Sequence, residues 1–372
     1  MDHPGVFIAA TGQNVGKTTT SLALMGRLHS KYRHVGFMKP VGQRTIERNG
    51  VEADEDVLLM KDVFQMPGEV KSMSPVTVPK GFTKNYLDGK TTNASLRKAI
   101  QEGWEQLSQG GSPVVVEGTG HAGVGSVFDM NNAQVASLLD LPVVLVAQGG
   151  IGRPIDEIAL NLALFEAYGA RVKGVIFNKA VSSKIPQMEE YCTKFLQKKG
   201  ISMLGVVEYS PVLTRPSLQR LVYDVKAEVL SSGDNLNVVP TKIITGAAVL
   251  DYLLDKSVKN CLVVTPASRS DVIMAAAHMY ELRKQGHDIP QEFCGLFLTG
   301  DKAPHPDVLK SAIYSGIPIL YNETDTHETV EAIDRSLGKT LPADKEKFEI
   351  IDSIYGEAID WQKFFDIIDR RE

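Results

Sequence analysis

Aliphatic runs with almost no polar interruption recur along this chain, and most are followed by a stretch with helical spacing. In the first half the runs are Val6–Ala10 (VFIAA), Val35–Lys39 (VGFMK), Pro113–Gly118 (PVVVEG), Pro142–Ala147 (PVVLVA), Val172–Asn178 (VKGVIFN) and a weaker Leu204–Tyr209 (LGVVEY). A strand with one wetted face alternates apolar and polar residues. A parallel strand covered on both faces does not, and that is the pattern here. Between the runs, residues 18–32 bring Leu22, Met25 and Leu28 to one helical face. Residues 93–111 do the same with Leu96, Ile100, Trp104 and Leu107, with Asn93 expected as the N-cap and Gly110 as the stop. Strand–helix alternation of this kind specifies an α/β fold with right-handed crossovers.

The alternation lapses after residue 215. Two prolines and a Ser-Ser-Gly-Asp run predict a linker over 216–238, following a first domain over 1–215. A second alternation follows over 239–338: KIITG then AAVLDYLL, CLVVTP then SDVIMAAAHMYELRKQG, CGLFLTG then HPDVLKSAIYSG, IPILYNE then HETVEAIDRSL. It predicts a smaller α/β domain of four strand–helix units. The remaining residues, 339–372, are charged and amphipathic, and are expected to be helical, as a packing helix or a dimer element.

A formal net charge of −5 gives no basic face for nucleic acid. It leaves phosphate binding open, because a local site needs backbone amides and one or two cations rather than global charge. No apolar stretch reaches the ~18 residues that a membrane span requires, and the N-terminus shows no export signal. The three cysteines, Cys192, Cys261 and Cys294, are far apart and form no CxxC knuckle or disulfide framework. The expectation is a reducing cytoplasm.

The first run leads into Ala9–Thr20, AATGQNVGKTTT. A Gly-x-x-x-x-Gly-Lys-Thr loop cradles phosphates because its backbone N–H groups point inward and a helix N-terminus lies behind them. Its Lys reaches the β and γ phosphates, and its Ser/Thr hydroxyl coordinates Mg²⁺. Gly16, Lys17 and Thr18 are in place. The strict pattern puts its first glycine at position 11, which is Thr11, and Gly12 comes one residue late. The loop therefore nominates Gly12, Gln13, Asn14, Val15, Gly16, Lys17, Thr18 and Thr19 as nucleotide-binding residues.

ATGQNVGKTTT resembles the variant phosphate loop of dethiobiotin synthetase and its relatives. FMKPVGQ resembles that family's Lys-Pro motif, VVVEGTGH its Glu-Gly-Ala-Gly-Gly motif, and GVIFNKA its adenine-facing Asn segment, all in the same order. In the second half TPASRSDVI, GLFLTGD and GIPILYNETDTHETVEAI resemble the DRTGG domain. The whole resembles the N-terminal portion of phosphotransacetylase-type proteins, with a P-loop NTPase-like, doubly wound, mostly parallel sheet ahead of a DRTGG-like domain. No stretch here resembles the acetyl-transferring domain, so the resemblance does not imply that activity.

The resemblance implies ATP and Mg²⁺ as cofactors, Lys17 and Lys39 as catalytic residues, and Asn178 at the adenine edge. It implies Thr18, Glu117 and Asp56 as metal ligands, with Asp54 as second choice to Asp56. An acidic first helical turn would also account for Asp54 and Asp56 with no metal at all. A homodimer is implied too. Asn14, Gln43 and His121 depart from the synthetase pattern at positions that shape its substrate pocket. The nucleotide half of the site is thus kept and the substrate half altered. This favours a Mg-ATP protein with a ligand-sensing second domain over a carbamate-forming ligase, and both over a scaffold that binds no nucleotide. His121 is a possible base beside Glu117. The irregular segment 63–92, with Lys80, Lys84 and Tyr86, has the length of a lid. In the second domain, Arg269 could hold an anion, or Ser268 and Asp271 could simply start a helix.

Overall fold

The computed structural model describes residues 4–246, 250–251, 255, 259–290, 292–336 and 338–369. The expected helix over 247–254 lies mostly outside the described residues. The chain forms two compact units, residues 1–209 with 349–372, and residues 210–348.

The first unit is built on six strands: β1 (Gly5–Ala10), β2 (Gly36–Met38), β3 (Val114–Glu117), β4 (Val143–Gln148), β5 (Val172–Ala180) and β6 (Ser202–Glu208). All are parallel, in the order β6-β5-β4-β1-β3-β2. Phe7, Val114, Val116, Val143, Leu145 and Phe177 are wholly buried in one core, as continuous apolar runs require. The chain winds one way from β1 to β2 and the other way from β4 on, so the sheet is doubly wound. Ligands of such sheets gather at the carboxyl ends of strands near this reversal.

Helix α1 (Lys17–Lys31) follows β1, and α2 (Glu55–Val63) follows a short hairpin. Helix α3 (Asn93–Leu107) starts one residue earlier than expected. Its cap is Thr92, whose hydroxyl accepts from the Ser95 N–H at 3.2 Å, and Asn93 is the first helical residue. Gly110, at φ 74°, does turn the chain after it. Helices α4 (Arg153–Ala167) and α5 (Ile185–Gln197) complete the crossovers.

The second unit has a five-stranded sheet of β7 (Glu228–Ser231), β8 (Lys242–Thr245), β9 (Cys261–Pro266), β10 (Phe293–Thr299) and β11 (Ile319–Asn322). Its order is β7-β11-β10-β9-β8, parallel except for β7, which runs antiparallel to β11. The four expected strands are present. Residues 216–238, expected as a linker, instead supply α6 (Leu218–Asp224) and the edge strand β7. Leu218, Leu221 and Val225 follow helical spacing and are buried against Leu262, Val264 and Phe297. Three apolar residues in so short a helix are masked by the flanking prolines and polar run. Helices α7 (Ser270–Lys284), α8 (Pro306–Tyr314) and α9 (Thr326–Arg335) follow strands β9, β10 and β11.

The last two helices are α10 (Lys345–Ala358) and α11 (Trp361–Ile368), and residues from Glu349 onward belong to the first unit. Among the described residues no helix is long and apolar enough to cross a membrane.

Candidate phosphate-loop and carboxylate site

Sheet register puts three chemically distinct residues side by side. Ile8 pairs with Glu117, and Met38 pairs with Val116. Lys39 and Glu117 each follow that last pair by one residue, at the carboxyl ends of adjacent strands. The phosphate loop leaves the end of β1 beside them.

Lys39 is 5% exposed, Asp54 2%, Asp56 6% and Glu117 0%. The Lys39 ammonium donates to Asp56 Oδ2 and to Glu117 Oε1, the latter at 2.8 Å, and lies 4.0 Å from Asp54 Oδ1. Asp54 also caps α2, accepting from the Asp56 N–H at 3.0 Å, which fixes where Asp56 stands. Burial opposes the Lys39 charge. The Asp56, Glu117 and Asp54 carboxylates outweigh it and hold the ammonium well above the ordinary lysine range. One buried ammonium thus faces three buried carboxyl groups. Glu117 Oε2 is buried and has no hydrogen-bond partner among the described residues. A buried carboxylate oxygen without a partner is costly.

The loop faces this cluster. Thr18 Oγ1 donates to Glu117 Oε1 at 3.2 Å, and Lys17 Nζ donates to Gly120 O at 2.9 Å. Gly16 sits at φ 100°, a conformation that costs a residue with a side chain, and a Cβ there would collide with the Asn178 amide. Asn178, 5% exposed, donates from Nδ2 to Val15 O at 2.9 Å and accepts the Lys179 N–H at 2.9 Å. It therefore fixes the loop. Gly12, Gln13, Asn14, Val15 and Thr19 lie along the same segment: Val15 is buried, and Gln13 and Asn14 are exposed.

Mg²⁺ takes one or two carboxylates and fills its remaining positions with phosphate oxygens and water. Thr18 with Glu117, and Asp56 beyond, have that chemistry, and the bare Oε2 fits a divalent cation. No group of three or more His, Cys, Asp or Glu among the described residues forms a closed metal cage. A cation that relies on phosphate and water does not need one.

Several contributors escaped the sequence reading. Lys179, at φ 59°, donates from Nζ to Asn14 O at 2.6 Å, and burial lowers its pKa. Asn132, on the short helix Asn132–Leu138, accepts the Thr119 N–H at 3.1 Å, and Asn161, on α4, accepts the Ala122 N–H at 2.9 Å, so two helices hold the loop after Glu117. His121 is exposed, and its Nδ1 accepts the Gly123 N–H at 3.1 Å, a turn contact rather than a base aimed at Glu117. In the 63–92 segment, Phe82–Leu87 is helical, Tyr86 donates to Asp129 Oδ2 at 3.1 Å, and Lys80 and Lys84 are exposed. In the second unit, Arg269 donates to both Asp271 oxygens, at 2.9 and 2.8 Å, and this pushes Asp271 down to about 2.

Fold and loop together define a P-loop NTPase-like α/β protein. Within that class, the chain belongs to the AAA domain family AAA_26, matched over residues 4–217, and a DRTGG domain is matched over residues 220–336. This order is that of the N-terminal region of phosphate acetyltransferases. The phosphate acetyltransferase of Nitrosomonas europaea is 27% identical over 349 residues, covering 91% of this chain and 48% of that protein. That of Pseudomonas putida is 28% identical over 376 residues, covering 95% and 50%. The ATP-dependent dethiobiotin synthetase BioD of Bacillus subtilis is 26% identical over 224 residues, covering 59% of this chain and 94% of that protein. The chain spans about half the length of the phosphate acetyltransferases it matches.

Proposed function

We propose that the first unit binds Mg-ATP in its phosphate loop for hydrolysis or phosphoryl transfer, and that the second unit senses a small-molecule ligand. The observation that supports this reading is the buried cluster of Lys39, Asp54, Asp56 and Glu117, with one bare carboxylate oxygen, directly beside Thr18 and Lys17. Thr18 and Glu117 would hold the cation, with Asp56 as the further candidate. The cation would neutralise phosphate charge and polarise the γ-phosphoryl group. Lys17 would meet the β and γ phosphates. Lys39 holds the carboxylates in place and lends positive charge next to the phosphoryl group. Asn178, which already anchors the loop, is proposed at the adenine edge. A cytoplasmic homodimer remains part of the proposal.

Asn14 and Gln43 are exposed, and His121 is engaged in a turn. These altered positions favour this reading over dethiobiotin-type carbamate chemistry. The test is ADP release by purified protein with Mg-ATP, alone and with bicarbonate plus 7,8-diaminononanoate. Slow release that ignores the diamine and is abolished in Lys17→Ala supports the proposal. Strong stimulation by the diamine replaces it with the ligase reading. No release and no ATP binding overturns both.

A further inference from the structure

Helices α10 and α11 lie outside both matched regions. They nevertheless run along α1 from its first turn to its last. At the far end, Tyr32 donates to Asp369 Oδ1 at 3.1 Å, and Lys31 Nζ lies 3.9 Å from the centre of the Phe365 ring. In the middle, the Arg27 guanidinium stands 5.3 Å over Trp361. Phe364 and Ile368 are fully buried beneath. The Asp360 N–H donates to Leu204 O at 2.7 Å, which ties the turn between the two helices to β6. Gly205 is required there, because a Cβ would collide with the Ala358 carbonyl.

The deepest contact is at the near end. Tyr355 is 1% exposed, and its hydroxyl lies 3.1 Å from Thr20 Oγ1. Thr20 Oγ1 donates to Gly16 O at 3.0 Å, and the Thr20 N–H donates to the same carbonyl at 2.9 Å. A hydroxyl has one proton. Since the Thr20 proton goes to Gly16, the proton between the two hydroxyls comes from Tyr355. The chain of donors is Tyr355 to Thr20 to Gly16, and Gly16 is the left-handed residue on which the phosphate loop turns into α1. Burial raises the phenol pKa, against the contacts to Thr20 and Asn178, so the donor keeps its proton at neutral pH.

We infer that Tyr355 is a positioning residue for the phosphate loop, holding Gly16 through Thr20, and that α10 and α11 form a strap that presets the loop for phosphate. The effect on ligand rests on the Mg-ATP reading above; the effect on the loop does not. A preset loop spends less of its binding free energy on ordering itself.

The experiment uses the full chain with Tyr355→Phe, which removes only the hydroxyl, and with Thr20→Val, which breaks the same chain from the helix side. Amide hydrogen exchange is read at Thr20 and across β1 and β4, and Mg-ATP affinity is measured alongside. Thr20 exchange should rise about tenfold with the strand amides unchanged, and affinity should fall by roughly three- to tenfold. The double variant should be little worse than Tyr355→Phe alone, because Thr20→Val cuts the same Tyr355–Thr20–Gly16 chain. Unchanged exchange at Thr20 overturns the inference, and so does a uniform rise across the unit, which marks general loosening. If the wild-type protein does not bind Mg-ATP while Thr20 exchange still rises, the nucleotide reading fails and the positioning role stands.

Discussion

The two sheets finish their parallel strands in opposite ways. At the carboxyl edge of the first, three buried carboxylates crowd one ammonium and a Glu117 oxygen has no partner. At the carboxyl edge of the second, polar groups satisfy one another. Arg269 is forked onto Asp271, Thr299 and Thr326 share a hydrogen bond of 2.7 Å, and the Tyr321 hydroxyl donates to Gly300 O at 2.8 Å. The first edge leaves a buried carboxylate oxygen without a partner, as the proposed cation would require. Among the described residues Arg269 is engaged at this edge, so an anion taken by it must compete with Asp271. Electrostatic imbalance, rather than the presence of charge, separates the candidate catalytic edge from the candidate sensing one.

The comparison breaks most readily at Lys39. Lys39→Met removes the ammonium that contacts Asp54, Asp56 and Glu117, and should cost about 3–5 kcal/mol in urea unfolding of the first unit. Millimolar Mg²⁺ should recover part of that loss. A cost below about 1 kcal/mol would mean that the cluster is not electrostatically strained. Lys17→Ala comes next. It should weaken Mg-ATP binding by at least about tenfold, or about 1.4 kcal/mol, while the urea midpoint barely moves.

The second unit also holds a buried pair of opposite charges, Lys347 with Asp344 at 3.8 Å, and it sharpens the contrast. Lys347 is 0% exposed and donates to Arg215 O at 2.8 Å and to Gly338 O at 2.9 Å. Burial lowers its pKa to about 8, with Asp344 and Glu346 opposing and Arg220 reinforcing the shift. The folded value lies below the unfolded one, so between about 8 and 10.5 the unfolded chain binds more protons. Stability from this group therefore rises with pH across that window, with a slope approaching about 1.4 kcal/mol per pH unit. Urea unfolding at stepped pH should show the slope in the wild type and lose it in Lys347→Met. The smallest effect belongs to Arg269→Ala, an exposed pair whose loss should shift stability by less than about 1 kcal/mol. A larger loss would show that the second edge is strained after all.

Much of this was legible in the sequence because it is local. Continuous aliphatic runs marked the ten expected strands, and Glu117 and Asn178, near the ends of their runs, marked the candidate edge. Lys39, Asp56 and Thr18 were nominated by the motifs around them: the Lys-Pro step, the acidic run before an apolar helix and the Gly-Lys-Thr loop. The part that stayed hidden depends on contacts between distant segments. Nothing around Tyr355 signals that its hydroxyl meets Thr20, and nothing around Asn132 or Asn161 signals a loop held from below. Residues 216–238 read as a linker because Leu218, Leu221 and Val225 span two turns, too few for a convincing period. The resemblance gave Lys39 a catalytic role, in contact with the γ-phosphate or the substrate; its burial among three carboxylates appears only once β2 and β3 are paired.

The most direct test is calorimetric titration of the full chain with ATP, with and without Mg²⁺, for the wild type and Glu117→Gln. The account predicts that Mg²⁺ tightens ATP binding to the wild type by about tenfold or more, and that Glu117→Gln reduces this gain to about twofold or less. ATP binding that is indifferent to Mg²⁺, or a full Mg²⁺ effect retained in Glu117→Gln, would contradict it.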